Sequence, residues 1–203
     1  ESLLEVEEAF LTTLALPFDL QLEVGHFLTE FGRINPRHPH QWSWLDAPIV
    51  HSRLLGADGM RGLGLRIGWL TPLPWFSELH LGLQNATGET MTSFLGAGLS
   101  GSEEGLHTES LFHTSQEEAE SVQKVVGGYP FFVHHIDSID DFVYLARWTH
   151  YFDITCELFV LMGVSTLLGP NASGNTATTQ MYGTDFIVKW SPSNNERGFP
   201  YLL

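Results

Sequence analysis

The sequence has 203 residues, of which 43% are hydrophobic, 12% aromatic and 16% charged. This composition excludes a disordered chain, because it leaves ample apolar surface to bury. The formal net charge is -15 and the chain has only nine Lys and Arg residues. A nucleic-acid partner is therefore excluded, since phosphate binding needs clustered basic side chains. The longest uncharged run, residues 158–184, contains Gly169 and Pro170, so it does not predict a transmembrane helix.

The first two predicted strands lie at residues 5–16 and 19–29. Residues 5–16 alternate moderately between apolar and polar, and Pro17 ends the segment. The second segment is clearer, because one face carries Leu20, Leu22, Val24, His26 and Leu28 while the other is mostly polar. A period of two predicts a strand between two different media, since a helix would scatter these residues around its circumference.

The same alternation recurs along the rest of the chain. It predicts further strands at residues 62–70, 78–85, 141–150, 154–168 and 178–190, and residues 199–203 resemble the start of another. We therefore expect an all-β, antiparallel, up-and-down arrangement of about eight strands. We also expect residues 1–203 to be one barrel segment that is incomplete at both ends, because neither end has the features of a complete protein.

The links between these strands alternate in length. Short links are expected at residues 17–18, 71–74, 151–153 and 191–198, and longer ones at 33–61, 87–139 and 169–177. Successive links of a meander fall on opposite ends of the sheet, so one end carries the tight turns and the other the large loops. This asymmetry is typical of bacterial outer-membrane β-barrels. It predicts a transmembrane β-barrel that forms part of a larger one.

The longest link is expected to contain a short helix. Ser115 and Glu118 fit a capping box, so a helix is predicted to run to Val126 and to end at Gly127-Gly128. A link of this length is expected either to cover the mouth of the barrel or to fold into its lumen.

Two sets of residues are predicted to have functional positions. Aromatic residues near the tight turns suit a membrane interface, where one edge of a ring is apolar and the other wet: they are Phe18, Trp69, Trp75, Phe76, Trp148, Tyr151, Phe152 and Trp190. Polar strand faces would line a pore and set which solutes pass: the candidates are Glu23, Arg66, Glu78, His80, Arg147, Glu157, Asp185 and Lys189.

The sequence contains no short motif for an enzyme, so no catalytic residue and no cofactor are predicted. His38 and His40 are the candidates for metal ligands, but a solvated loop is the preferred interpretation and no metal is expected. Cys156, the single cysteine, lies in an apolar-rich run and is expected to be buried or to face lipid.

Three stretches resemble bacterial outer-membrane porin-like families, in particular relatives of the phosphate-selective porins. Residues 22–35 are similar to a strand of that group, residues 46–59 resemble one of its loops, and residues 182–190 are similar to a later strand. The resemblance implies a monomeric or trimeric barrel of about 16 strands, of which this chain would be half. The chain has no run of Lys or Arg that would form a phosphate ladder, so phosphate selectivity is not implied.

The expected function is passive passage of small solutes or ions through a porin-like channel or transporter in the outer membrane of a Gram-negative bacterium. The expected partners are the outer-membrane bilayer, these solutes, and identical copies of the chain in a homo-oligomer. One alternative is a soluble eight-stranded barrel or sandwich that binds a small apolar ligand, with Leu20, Leu63, Leu79 and Val160 in its core. A second alternative is a surface receptor or adhesion barrel that uses its long loops.

Overall fold

The structure of the protein is a computed structural model. It describes residues 7–42, 46–56, 59–88, 90–95, 123–126, 129–132, 139–173, 176–192 and 201–202. The strands are β1 (Ala9–Thr12), β2 (Leu20–Leu28), β3 (Arg61–Leu70), β4 (Phe76–Asn85), β5 (Gln123–Val126), β6 (Tyr129–Phe132), β7 (Phe142–Thr155), β8 (Leu158–Pro170), β9 (Thr178–Trp190) and β10 (Tyr201–Leu202). One α-helix, α1 (Ile49–Leu55), lies among the described residues.

Eight of these strands form one antiparallel sheet. Their order is β1-β2-β3-β4-β7-β8-β9-β10, and β5 and β6 form a separate hairpin. The predicted all-β, antiparallel, up-and-down order is therefore confirmed. Within the described residues β1 and β10 do not pair with each other, so the sheet is not closed. The described helices include none with the length and apolar character needed to cross a membrane.

The turn between β7 and β8 differs from the expected one. The strand continues through the expected link at residues 151–153 as far as Thr155, and the turn is formed by Cys156 and Glu157. The Thr155 hydroxyl oxygen accepts hydrogen bonds from the amides of Glu157 at 3.2 Å and Leu158 at 3.1 Å, which stabilises this turn. Cys156 is exposed, so a buried thiol is contradicted, and a thiol that faces lipid stays a prediction.

The prediction of a helix in the longest link is also wrong in part. Residues Gln123–Val126, which would form its last turn, are instead strand β5. Residues 115–122 lie outside the described residues. Helix α1 occurs in the other long link, at residues 33–61, where no helix was predicted.

The sheet has two faces of different character. Residues directly opposite each other on paired strands share a face, so the register places Glu23, Arg66, Leu145, Leu167 and Met181 on one side. Parts of the two long links pack over this side. We call it the covered face, and we call the opposite side the open face.

The hydrophobic core lies where residues 90–95 cross the covered face. Met91 and Phe94 pack there with Val143 and Leu167, and all four are at least 98% buried. Gly169 makes this approach feasible, because a Cβ atom there would lie 2.8 Å from a ring carbon of Phe94. The described beginning of the longest link therefore folds onto the covered face.

The two faces also differ in the side chains that they expose and bury. The open face carries exposed apolar side chains, including Leu63 (61% exposed), Val164 (52%) and Phe186 (65%). The covered face buries charged ones, including Arg147 (5% exposed) and Glu23 (6%). Burying charge while exposing large apolar side chains is costly in water, because burial removes the hydration of the charged groups.

Candidate functional site

The first part of the site is an ion pair at the centre of the covered face. The Arg147 Nη1 atom lies 2.9 Å from Asp185 Oδ1, and the Nη2 atom lies 3.2 Å from Oδ2. Arg147 Nη1 also donates to the Ser165 hydroxyl at 2.9 Å. Gly163 lies opposite Asp185, and a Cβ atom there would be 2.9 Å from the carboxylate oxygens. The glycine therefore provides the space in which this bidentate ion pair forms.

The second part is a cluster around Arg66 on β3. Its Nη2 atom lies 2.9 Å from Glu23 Oε1, and its Nη1 atom lies 2.9 Å from Glu30 Oε1. The Arg66 guanidinium also lies 5.2 Å from the centre of the Phe27 ring, within the range of a cation–π contact. One arginine is thus held by two carboxylates from different segments of the chain.

A third, longer contact joins two residues of β4. His80 Nε2 lies 3.3 Å from Glu78 Oε1. Both side chains point to the covered face, since Glu78 is opposite Thr149 and His80 is opposite Arg147. Together with the two arginine clusters, they form a band of charged residues across β2, β3, β4, β7 and β9.

Residues 29–35, which we call the crossing segment, run over this band. Glu30 contacts Arg66 on β3, the Gly32 amide donates to the Ser165 hydroxyl on β8 at 3.1 Å, and the Phe31 ring lies against Gly183 on β9. Strands β3 and β9 are four spacings of about 4.8 Å apart, roughly 19 Å along the sheet. The crossing segment therefore bridges much of the covered face.

Asn35 anchors the end of the crossing segment. Its side-chain amide donates to the carbonyl oxygens of Thr29 at 2.6 Å and Met60 at 2.9 Å, and its Oδ1 atom accepts from the Met60 amide at 2.8 Å. Asn35 is 1% exposed. Because every one of these bonds is to the backbone, they fix the path of the chain.

Arg33 differs from the other arginines near the band. Among the described residues it forms no ion pair or hydrogen bond, although it lies near Arg37, Arg147 and Asp185. Partial burial lowers the pKa of Arg33, and the charges of Arg37 and Arg147 lower it further, whereas Asp185 raises it. Within the described residues the Arg33 guanidinium thus lies near two other arginines and donates no hydrogen bond.

Most of the predicted lumen residues come together in this band. Glu23, Arg66, Glu78, His80, Arg147 and Asp185 lie on the covered face, and Lys189 lies on the same face nearer the tight turns. Glu157 was expected on a strand and instead lies in the turn between β7 and β8. That these residues line a lumen stays a prediction.

The predicted interface aromatics lie in three positions. The open face carries Trp69, Trp148, Phe152 and Trp190. The links contain Phe18 and Trp75, and Trp75 Nε1 donates a hydrogen bond to His150 Nδ1 at 3.3 Å. Phe76 and Tyr151 are opposite each other on the covered face. Their strand parity turns their side chains away from the face that carries the tryptophans, and their place at a membrane interface stays a prediction.

The two histidines considered for a metal have other contacts. The rings of His38 and His40 stack with centroids 5.6 Å apart, and His38 Nε2 lies 3.1 Å from Glu8 Oε2. Across the part of the chain that the structure describes, no group of three or more His, Cys, Asp or Glu side chains is arranged to hold a metal ion.

Sequence reasoning missed four residues of the site, which are Glu30, Phe31, Arg33 and Ser165. The first three lie in a link, where no periodicity indicates which way a side chain points. Ser165 lies on β8, on the same face as Leu161 and Leu167, so its polarity was the available signal.

The position of Phe31 can be tested through the glycine beneath it. A Cβ atom at Gly183 would lie 2.9 Å from Phe31 Cζ, so Gly183→Ala should displace the ring and lower the free energy of unfolding by about 1–2 kcal/mol. Denaturant unfolding measures this, and Phe31→Ala should remove most of the effect because the two residues are in contact. Gly68→Ala is the matched control, since its Cβ would have an ordinary 3.4 Å contact. Equal losses for both glycine variants would contradict the position of Phe31.

Comparison with known proteins adds one relative. A 99-residue segment is 39% identical to an uncharacterized protein of Aquifex aeolicus (strain VF5), and the match covers 49% of this chain and 20% of that protein. The chain thus spans about a fifth of the length of the relative it matches. No protein-family model matches the chain, and no solved structure does.

Proposed function

We propose that the chain forms part of the wall of a porin-like channel in a bacterial outer membrane, through which small solutes or ions pass passively. The observation that carries this proposal is the contrast between the two faces of the sheet. Large apolar side chains are exposed on the open face, while charged and hydrogen-bonding side chains are buried on the covered face. A barrel wall in lipid needs this arrangement, with an apolar band outside and polar groups within.

The open face supports contact with lipid in two ways. Its exposed residues extend over neighbouring strands, from Leu63 on β3 and Leu81 on β4 to Val164 on β8 and Phe186 on β9. Contiguous apolar surface of this kind marks an interaction site. Near the tight turns it carries Trp69, Trp148 and Trp190, whose rings suit a membrane interface.

The covered face supports the role of a pore wall. Its charged band is nearly balanced in sign, with Arg33, Arg66 and Arg147 near Glu23, Glu30, Glu78 and Asp185. Fixed charges of both signs beside a solute path determine which solutes cross it. The crossing segment narrows this path, because it extends from β3 to β9.

A soluble barrel that binds an apolar ligand is favoured less by this structure. That function places Leu20, Leu63, Leu79 and Val160 in a core, yet all four lie on the open face by register, and Leu63 is 61% exposed. The interior of such a barrel would instead hold the Arg147–Asp185 pair. Buried charge is a poor lining for an apolar ligand.

Ion conductance tests the proposal. The full-length protein that contains this chain is refolded in detergent and added to a planar lipid bilayer in potassium chloride. We expect stepwise increases of current, as a water-filled pore would give. A folded protein that inserts and conducts no ions would overturn the channel and favour a receptor or adhesion barrel.

A further inference from the structure

A row of apolar side chains crosses the covered face on the tight-turn side of the charged band. Phe76 on β4, Tyr151 on β7, Leu161 on β8 and Ile187 on β9 are directly opposite one another in the register. Phe76 is 48% exposed, and the other three are half-buried. This accessible apolar row contrasts with the apolar end of the same face that residues 90–95 bury.

The next row adds a third aromatic ring. Phe159 on β8 lies between Asp153 and Lys189 in the register, on the same face as Tyr151. The Tyr151 and Phe159 rings are stacked, with centroids 5.9 Å apart and an angle of 27° between their planes. Two nearly parallel rings at an accessible position form a platform on which a flat or apolar group can pack.

The two charged residues that flank Phe159 in the register have opposite signs. Among the described residues Lys189 has no ion pair or hydrogen bond, and it lies directly opposite Phe159. Asp153 lies opposite Phe159 on the other side, and its carboxylate accepts a hydrogen bond from the Tyr151 hydroxyl. Arg33, on the far side of the apolar row, likewise forms no hydrogen bond or ion pair within the described chain, whereas Asp185 is paired with Arg147 and Glu78 with His80.

We propose that Tyr151, Phe159 and Lys189 form a subsite for a small carboxylate that carries an apolar ring or chain. The apolar part packs on the two rings, and the carboxylate accepts hydrogen bonds from the Lys189 ammonium. Arg33 provides a second cation deeper in the path, so the solute moves between two positive charges across an apolar row. This inference rests on the proposed function, because it assumes that the covered face lines a solute path.

The test measures solute binding in the full-length protein reconstituted in a planar bilayer. Benzoate is titrated against the potassium chloride current, beside acetate, which lacks the ring, and benzylamine, which reverses the charge. We expect benzoate to reduce the current at lower concentrations than acetate or benzylamine does. Phe159→Ala should weaken benzoate binding by about two- to tenfold, the effect of losing one stacked ring. Lys189→Gln should weaken the binding of benzoate and leave the binding of benzyl alcohol, its uncharged analogue, unchanged.

The control is Val160→Ala, which truncates the next residue of β8 on the open face. It should leave the affinity for benzoate unchanged, and Tyr151→Leu, which keeps an apolar side chain, should lower the affinity without loss of folding. Equal effects of Phe159→Ala and Val160→Ala would overturn the subsite, as would tighter binding of benzylamine than of benzoate. If the protein conducts ions and benzoate does not reduce the current, the subsite alone is rejected. If no ion current is observed, the channel is rejected as well.

Discussion

Replacement of Arg147 by methionine is expected to lower the free energy of unfolding by about 3–5 kcal/mol, because it leaves the Asp185 carboxylate without its partner. Arg147 is 5% exposed and contacts both oxygens of that carboxylate as well as the Ser165 hydroxyl. Removing one member of a buried pair therefore leaves a charge with little access to water. Urea unfolding of the protein refolded in detergent or lipid measures the loss.

A double substitution separates the lost pair from lost packing. Arg147→Met combined with Asp185→Leu removes both charges, so it should recover most of the stability. Arg53→Met is the matched control, since Arg53 is an exposed residue of α1 and its loss should change stability by less than about 0.5 kcal/mol. If the double variant were no more stable than Arg147→Met, the ion pair would not be the cause.

Replacement of Leu81 by arginine tests the environment of the open face. Leu81 lies near the middle of β4, opposite Ile67 and Ala146, and is 47% exposed. In a bilayer an arginine near the midplane costs about 2–4 kcal/mol, so Leu81→Arg should reduce insertion and lower the free energy of unfolding in phospholipid vesicles. At an exposed site in water the same substitution would change the free energy of unfolding by less than about 0.5 kcal/mol.

Leu14→Arg serves as the control for this prediction. Leu14 is 92% exposed in the link between β1 and β2, at the tight-turn end, so an arginine there has access to water. Both variants add the same side chain and differ in their position along the sheet. Equal tolerance of the two substitutions would contradict a lipid-facing open face.

The strands with regular alternation were predicted closely. The expected segments 62–70, 78–85 and 178–190 correspond to β3 (Arg61–Leu70), β4 (Phe76–Asn85) and β9 (Thr178–Trp190). Each alternates between apolar and polar residues or glycine, because one side of the sheet is apolar and the other packs against charges and links. Period-two patterning reports this difference directly.

The boundary between β7 and β8 could not be found in this way. Asp153 suggested a turn, whereas the turn at Cys156 and Glu157 contains neither Gly nor Pro. It is stabilised by the Thr155 hydroxyl, which bonds to two backbone amides. Thr is common in strands as well as in such turns, so its identity alone does not distinguish the two.

The candidate site was predicted only where strands carry it. Arg66, Arg147 and Asp185 followed from strand parity, whereas Phe31 and Arg33 did not, since the path of a link depends on contacts distant in sequence. The space above Gly183 and the Ser165 hydroxyl determine where the crossing segment lies. Alternation also could not tell which face is buried, because both faces of a strand have the same period.

The most direct test of the proposed membrane location is fractionation of bacteria that express the gene that encodes this chain. We expect the protein in the outer-membrane fraction, resistant to a carbonate or urea wash and released by detergent, because the proposed barrel turns its exposed apolar face toward lipid. Recovery of folded protein from the periplasm without detergent would contradict the account.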